Sequence, residues 1–292
     1  MTDNPLWQWE GRDWPNATAS RFVRAAGKLW HVQRMGSGPP IVLIHGTGAA
    51  THSWRGAMPL LAQHFDVLAI DLPGHGFTPD SPRMGLPGMA ADLAALLAAE
   101  AMRPDIIVGH SAGAAIAIRM ALDGLVAPRR IISLNGALLP LQGMAGQIFS
   151  PLARALVGLP FVPWLVAWRA ADRAAVVKLL NATGSRLDAH GLDLYARLFR
   201  RPGHVAGTLA MMAAWDLPAF ARDLPRLAVP LTLVAALGDR TIAPATARRV
   251  QRILPAARVV EWPRLGHLAH EEEPALLAAL LAALLAEEIQ LA

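Results

Sequence analysis

The chain contains no cysteine, which removes disulfides, thiolate nucleophiles and zinc–thiolate sites together. A cysteine-free chain also suits a reducing compartment, and the expected location is the cytoplasm. Long apolar runs are missing too. The longest, Ala275 to Ala286, spans 12 residues, about half of what a membrane-spanning helix needs. The stretch from Pro151 to Trp168 is also apolar, but Arg154, Pro160 and Pro163 interrupt it. Such a segment can lie on a membrane and should not cross one. The opening residues lack a basic region followed by an apolar one, so they do not read as a signal peptide. Lysine is scarce: Lys28 and Lys178 are the only two, and every other basic residue is arginine. His75, His110 and His190 do not form a metal-ligand spacing, and no cofactor is expected.

What is present is a large core. Of 292 residues, 54% are hydrophobic and 17% charged, enough for one α/β domain carrying an inserted subdomain. The net charge is +5, and its distribution is uneven. Residues 137–213 hold eight basic side chains (Arg154, Arg169, Arg173, Lys178, Arg186, Arg197, Arg200 and Arg201) against three acids, Asp172, Asp188 and Asp193. The remainder of the chain is balanced. A basic, apolar segment suits an anionic amphiphile or an anionic membrane surface. No nucleic-acid motif accompanies the charge, so nucleic acid is not an expected partner.

Short apolar runs punctuate the chain at Ile41–Ile44, Val67–Ile70, Ile106–Val108, Ile131–Leu134, Leu231–Ala236 and Arg258–Glu261. Each has the length and composition of a strand buried on both faces. Arg21–Ala25 and Leu29–Met35 read as two further strands joined by a turn, after an irregular arm of about 20 residues. Helical stretches lie between, at Trp54–Leu61, Pro87–Ala99, Ala112–Leu122, Thr246–Ile253 and Pro274–Glu287. Strand alternating with helix predicts an α/β fold with a mostly parallel eight-stranded sheet flanked by helices. The alternation fails between residues 137 and 213, which predicts a helical lid inserted into a core of residues 1–136 and 214–292.

The strongest chemical motif is Gly109-His110-Ser111-Ala112-Gly113. It closes an apolar strand and opens a helix, the context in which a serine is exposed on a strained turn as a nucleophile. Glycines two residues either side let the turn tighten. The N–H of Ala112 would then point from the helix N-terminus at a developing oxyanion. His45-Gly46-Thr47-Gly48 follows the strand Ile41–Ile44 and supplies the second oxyanion N–H, with Thr47 preferred to Gly48. His45 itself reads as a buried imidazole bracing this loop. The base must come from a late histidine, and His267 follows the last strand with Gly266 leaving its loop free to approach. His270 is the competitor. Asp239, just past the strand Leu231–Ala236, would orient His267 and stabilise its imidazolium. Asp216 is a weaker alternative acid, because no strand precedes it, and Asp71 reads as a structural residue of its loop.

The chain order Ser111, Asp239, His267 and the loops around them resemble the α/β-hydrolase superfamily over residues 41 to 273. A serine at the elbow excludes the aspartate-nucleophile chemistry of some of its members. A closer resemblance is carried by Gly11-Arg12-Asp13-Trp14-Pro15-Asn16, His31-Val32-Gln33-Arg34-Met35-Gly36, Thr51-His52-Ser53-Trp54-Arg55, Ser133-Leu134-Asn135-Gly136-Ala137-Leu138-Leu139-Pro140 and Pro202-Gly203-His204-Val205-Ala206-Gly207. These are similar to the magnesium-chelatase accessory proteins of bacteriochlorophyll biosynthesis, the BchO type. The resemblance implies a role in photosynthetic pigment synthesis at the step that inserts magnesium into protoporphyrin IX. It also implies chelatase subunits as partners, and protoporphyrin IX or its magnesium complex as ligand.

The expectation is therefore a serine hydrolase acting on an ester of an amphiphilic anion. The alternatives are a porphyrin-binding accessory protein without turnover, or a C–C bond hydrolase using the same triad. Trp164, Trp168, Met211 and Trp215 are expected to line the ligand site, with Phe149, Phe161 and Met212 as further candidates. Arg169 and Arg173 are expected to meet carboxylates. Peripheral membrane contact is expected through the lid.

Overall fold

The structure, a computed structural model, describes residues 5–140, 159 and 161–291. Eight strands form one sheet: β1 (Ser20–Ala25), β2 (Lys28–Met35), β3 (Pro40–Ile44), β4 (Asp66–Ile70), β5 (Ile106–His110), β6 (Arg130–Leu134), β7 (Leu231–Ala236) and β8 (Arg258–Trp262). Their order in the sheet is β1-β2-β4-β3-β5-β6-β7-β8. The β1–β2 and β2–β4 pairs are antiparallel, and every pair from β4 to β8 is parallel. The hairpin between β1 and β2 turns on Ala26 and Gly27, whose φ values of 49° and 74° give the left-handed pair that matches the twist of two antiparallel strands.

Strands β3 to β7 are mostly apolar because both faces are covered, whereas the edge strand β8, RVVEW, exposes Arg258 and Glu261 and is not the strand buried on both faces expected there. One face packs on α3 (Leu86–Ala99) and α4 (Ala112–Leu122), burying Val42, Ile44, Leu68, Ile107 and Ile131 against Leu93, Leu96 and Ile116. The other packs on α2 (Ala57–Leu61) and α12 (Pro274–Leu291), burying Ile41, Leu43, Val108 and Ile132 against Met58, Leu61, Leu277 and Leu281. Each such side chain contributes roughly 1.5–3 kcal/mol on full burial, so the sheet is a rigid floor for the loops at its edge. The N-terminal arm departs from the irregular form expected of it. It carries a short helix, α1 (Pro5–Glu10), whose Trp7 packs on His31, Phe22 and Phe77 at ring separations of 4.7, 5.7 and 4.8 Å. Contacts with distant rings hold a segment whose own periodicity is too short to read.

Between β6 and β7 the described residues contain no strand. They form α5 (Val162–Arg169), α6 (Arg173–Ala182), α7 (Ala189–Phe199), α8 (Pro202–Ala214) and α9 (Leu217–Asp223). Helices α5 to α8 are called the cap below. Asp172 caps α6, accepting from Ala174 N–H at 2.9 Å, and Asp188 caps α7, accepting from Gly191 N–H at 2.6 Å. Asp216 caps α9 in the same way, a structural use of the residue weighed above as an alternative acid. Helix α10 (Ala245–Ile253) joins β7 to β8, and α11 (Ala269–Glu272) precedes α12. No helix among the described residues is long and apolar enough to cross a membrane.

Candidate active site

Ser111 sits immediately past β5, in the middle of the parallel strands, with φ 51° and ψ −114°. A non-glycine residue held there is strained, and the surrounding close packing enforces it. A Cβ at Gly109 would fall 2.4 Å from Ala114 N, and one at Gly113 would fall 2.2 Å from Ile44 O. The elbow therefore tolerates no side chain at either glycine. Ser111 N–H donates to Leu134 O at 2.9 Å, and Ser111 O accepts from Ala137 N–H at 3.1 Å, which tie the turn to the end of β6.

Asp239 and His267, the expected acid and base, follow β7 and β8. His267 Nδ1–H donates to Asp239 Oδ2 at 2.7 Å. The other carboxylate oxygen, Oδ1, accepts from Thr241 N–H at 2.7 Å and Ile242 N–H at 2.9 Å. Asp239 is thus held from both sides, and Nε2 of His267 has no hydrogen-bond partner among the described residues. His267 and Ser111 both lie on the wall of one cavity. His270 lies elsewhere: its Nε2 meets Ser53 Oγ at 2.7 Å in the interior, and burial pushes its pKa down to about 3.

Three groups fix the His267 loop that the sequence reading did not assign. His110 Nε2–H donates to His267 O at 2.9 Å, and burial holds this ring neutral, well below the usual histidine range. Asn135, at the end of β6 with φ 48°, donates from Nδ2 to the same oxygen at 2.9 Å and to Gly266 O at 3.2 Å. Its Oδ1 accepts from Ala236 N–H at 2.8 Å. Asn135 directly follows β6, and a polar residue closing an apolar strand was the available signal. The third group belongs to the cap. Thr183 O accepts from His267 N–H at 3.3 Å and from Arg240 N–H at 3.0 Å, while Ser185 Oγ accepts from Leu268 N–H at 2.8 Å. Gly184 between them has φ +87°, and a Cβ there would fall 2.0 Å from Gly238 O.

The loop after β3 lies against the nucleophile. A Cβ on Gly46 would come within 2.9 Å of Ser111 Cβ. His45 braces the loop: Nδ1–H donates to Gly46 O at 2.7 Å and Nε2 accepts from Leu72 N–H at 3.0 Å, with its pKa lowered by burial. Thr47 and Ala112 line the cavity, and their backbone N–H groups have no acceptor among the described residues. Asp71 is buried and structural, accepting from Thr51 N–H, Phe77 N–H and His31 Nδ1–H at 2.7, 2.9 and 2.7 Å. The histidine beside it and these hydrogen bonds hold its carboxyl far below the usual range despite burial. From the cap, His204 Nδ1 accepts from Gly76 N–H at 3.1 Å and Nε2–H donates to Gly48 O at 3.0 Å.

The cavity measures about 590 Å³ and lies between the cap and the ends of the parallel strands. Its walls are mostly apolar, with Thr47, Thr183, Thr208 and Thr241 supplying hydroxyls. Met211, Met212 and Trp215 are on the wall, as expected, and Arg169 is its one permanently charged side chain among the described residues. Trp164, Trp168 and Arg173 are not brought there. Helix α5 turns Val166, Arg169 and Ala170 to the cavity and Trp164 and Trp168 outward, 68% and 72% exposed. Arg173 instead joins α6 to α7, its Nε–H donating to Asp193 Oδ1 at 2.6 Å. Phe161 is also exposed, and Phe149 lies outside the described residues. No cluster of three or more histidines and acids suited to a metal ion occurs among the described residues.

The sequence and the fold have known counterparts. The "Magnesium-chelatase 30 kDa subunit" of Rhodobacter capsulatus is 40% identical over 263 residues, covering 89% of this chain and 92% of that protein. The "Pyrrolizixenacetamide deacetylase" of Xenorhabdus hominickii is 30% identical, covering 82% and 88%. Among solved structures, an alpha/beta hydrolase fold protein from Burkholderia ambifaria superposes with a TM-score of 0.75 at 24% identity, over 90% of this chain and 97% of that one. The sequence profile of the alpha/beta hydrolase family matches residues 41–280. The chain belongs to the alpha/beta hydrolase family.

Proposed function

We propose that the chain is a serine hydrolase that cleaves an ester of an apolar, amphiphilic acid, with Ser111 as nucleophile, His267 as base and Asp239 as its orienting acid. The observation that carries this is the 2.7 Å contact between His267 Nδ1 and Asp239 Oδ2 beside a cavity that Ser111 shares. Ser111 Oγ attacks the acyl carbon and its proton passes to His267 Nε2. The oxyanion so formed takes hydrogen bonds from the N–H groups of Ala112 and Thr47. Collapse expels the alcohol, which leaves with the proton from His267. Water, deprotonated by the same ring, then releases the acid.

The 40% identity to a magnesium-chelatase subunit favours placing this activity at the magnesium-insertion step, with chelatase subunits as partners and a porphyrin such as protoporphyrin IX or its magnesium complex as ligand. The same identity favours a second reading, in which the cavity binds the tetrapyrrole for chelatase without turnover. With one arginine on the wall, the cavity would hold one propionate at its rim and leave the other toward solvent.

A fluorophosphonate probe and a short acyl ester test the hydrolytic reading. The probe should label the wild type and not Ser111→Ala. Ester turnover should fall on the order of 10³-fold or more in Ser111→Ala and His267→Ala, and far less in His270→Ala. An unlabelled, inactive wild type that binds protoporphyrin IX would leave the binding reading standing alone. Ser111→Ala activity within about threefold of wild type would remove Ser111 as nucleophile.

A further inference from the structure

Phe161, Trp164, Leu165 and Trp168 are spaced i, i+3, i+4, i+7, the pattern of a helix face buried in a core. Here that face points into solvent, with exposures of 61%, 68%, 56% and 72%. The opposite side of α5 carries Ala167 and Ala170, both buried, together with the cavity residues Val166 and Arg169. We propose that this outward face docks the protein on an anionic lipid bilayer, with the cavity opening toward the bilayer.

Three observations select that occupant. The first is chemical. Two of the four side chains are tryptophans, whose large apolar ring and single N–H suit the boundary between headgroups and acyl chains. Helix α5, VPWLVAWR, contains no acid. The second is charge. The side chains of Lys178 and Arg200 have no acidic partner among the described residues. Among the described residues Arg169 is tied only to Asp172, in an exposed pair that a phosphate displaces at little cost. The local acids Asp172 and Asp193 are already matched by Arg169 and Arg173, so the excess is positive. The third is area. Three aromatic rings and a leucine at these exposures offer on the order of 500 Å², less than the roughly 800 Å² per partner of a stable protein interface. Shallow insertion of an amphipathic helix needs no such area.

The position of the face gives docking a consequence. Val166 and Leu179 are each exposed and each on the cavity wall, so the mouth lies between α5 and α6, next to the stripe. An apolar ligand would pass from the acyl chains to Ser111 without crossing bulk water.

The test is flotation with vesicles of equimolar phosphatidylglycerol and phosphatidylcholine, and with pure phosphatidylcholine, at low and high salt. The wild type should float with the mixed vesicles, less with the neutral ones, and less as salt rises. Trp164→Ser with Trp168→Ser should reduce the bound fraction about tenfold or more. Trp168→Ser alone should give an intermediate loss. Lys178→Glu should weaken binding to the anionic vesicles only. Fluorophosphonate reactivity and thermal midpoint should be unchanged in all of them, because these side chains lie off the cavity wall. Ser111→Ala should float as the wild type does, which separates this proposal from the hydrolytic reading. Absence of wild-type binding to anionic vesicles would overturn it, and so would equal binding by the double variant. A wild-type dimer in sedimentation equilibrium that the same double substitution makes monomeric would assign the face to a second copy of the chain instead.

Discussion

The two ends of the cap are built in opposite ways. At one end, Thr183, Ser185 and His204 are bonded directly to the loops that carry His267, Asp239, Thr47 and Gly76, and Gly184 packs against Gly238. At the other, α5 shows its largest apolar side chains to solvent. The first end is a hook rather than a hinge. Its partners are backbone groups of the loops around the cavity, so moving it would move His267 and Asp239. A cap that opens must therefore do so at the α5 and α6 side, where Val166, Arg169 and Leu179 form the mouth. On the proposed hydrolytic reading, a cap fastened beside His267 and Asp239 and loose at the mouth would admit a bulky ligand while those side chains stay in place.

The contrast breaks most severely at Gly184. An alanine there meets two penalties: a left-handed backbone at φ +87° and a Cβ 2.0 Å from Gly238 O. The conformational part alone costs about 1–2 kcal/mol, and the overlap forces the 238 loop away from the cap. Gly184→Ala should lower the thermal midpoint by several degrees and reduce ester turnover about 10²-fold, the effect of a base displaced by an ångström. Ser185→Ala, which removes the acceptor of Leu268 N–H, should act in the same direction and less. Turnover in Gly184→Ala equal to that of the wild type would mean the hook does not position His267.

Acid should loosen the fastened end first. His204 joins cap to core and has its pKa pushed down to about 3 by burial; His270, behind the base, is also held near 3. The unfolded chain takes up these protons near pH 6.5, and the folded chain does not until about 3. Between those values the unfolded state binds more protons, so stability is complete above about pH 6.5 and falls as pH falls toward 3. His45, His52, His75 and His110 are shifted the same way and add to the slope. Each such histidine contributes about 1 kcal/mol per pH unit in that window. Denaturant unfolding of the wild type at pH 7, 6 and 5 should show the decline, and His204→Gln should show a shallower one. A slope unaltered by His204→Gln would place the acid sensitivity outside the cap junction.

Most of the sheet and the catalytic loops were legible because strand ends announce themselves. An apolar run closed by a glycine and a polar residue marks a strand edge, and Ser111, Asp239 and His267 each follow one. The hook was not legible, because Thr183 works through its carbonyl oxygen, and a backbone acceptor leaves no residue-type signature. His204 and Asn135 stood inside motifs noted for resemblance, yet their partners lie more than a hundred residues away. Trp164 and Trp168 were expected on the ligand site and stand outward instead. Periodicity places Phe161, Trp164, Leu165 and Trp168 on one face, but only packing says whether that face meets the core. The count of basic residues also overstates the free charge of the cap. Counting charges cannot show that Arg173 is used by Asp193, or that Arg197 and Arg201 bind Asp13 and Glu10 of the N-terminal arm.

The smallest expected effect sharpens the distinction between wall and surface. Arg169 and Arg173 lie at the ends of adjacent cap helices, and sequence alone treats them as a pair that grips carboxylates. Only Arg169 is on the cavity wall, and it is largely exposed and shared with Asp172. A screened contact of this kind is worth about 0.2–1 kcal/mol, so its loss should change selectivity by no more than about fivefold. Arg169→Ala should lower kcat/KM for an ester bearing one free carboxylate about two- to fivefold relative to a neutral ester of the same acyl group. The difference should shrink as salt is added. Arg173→Ala should leave that ratio unchanged, because its guanidinium is committed to Asp193 and to Ala189 O. If Arg173→Ala altered the ratio as much as Arg169→Ala, recognition of the anion would belong to the general field of the cap rather than to one side chain at its mouth.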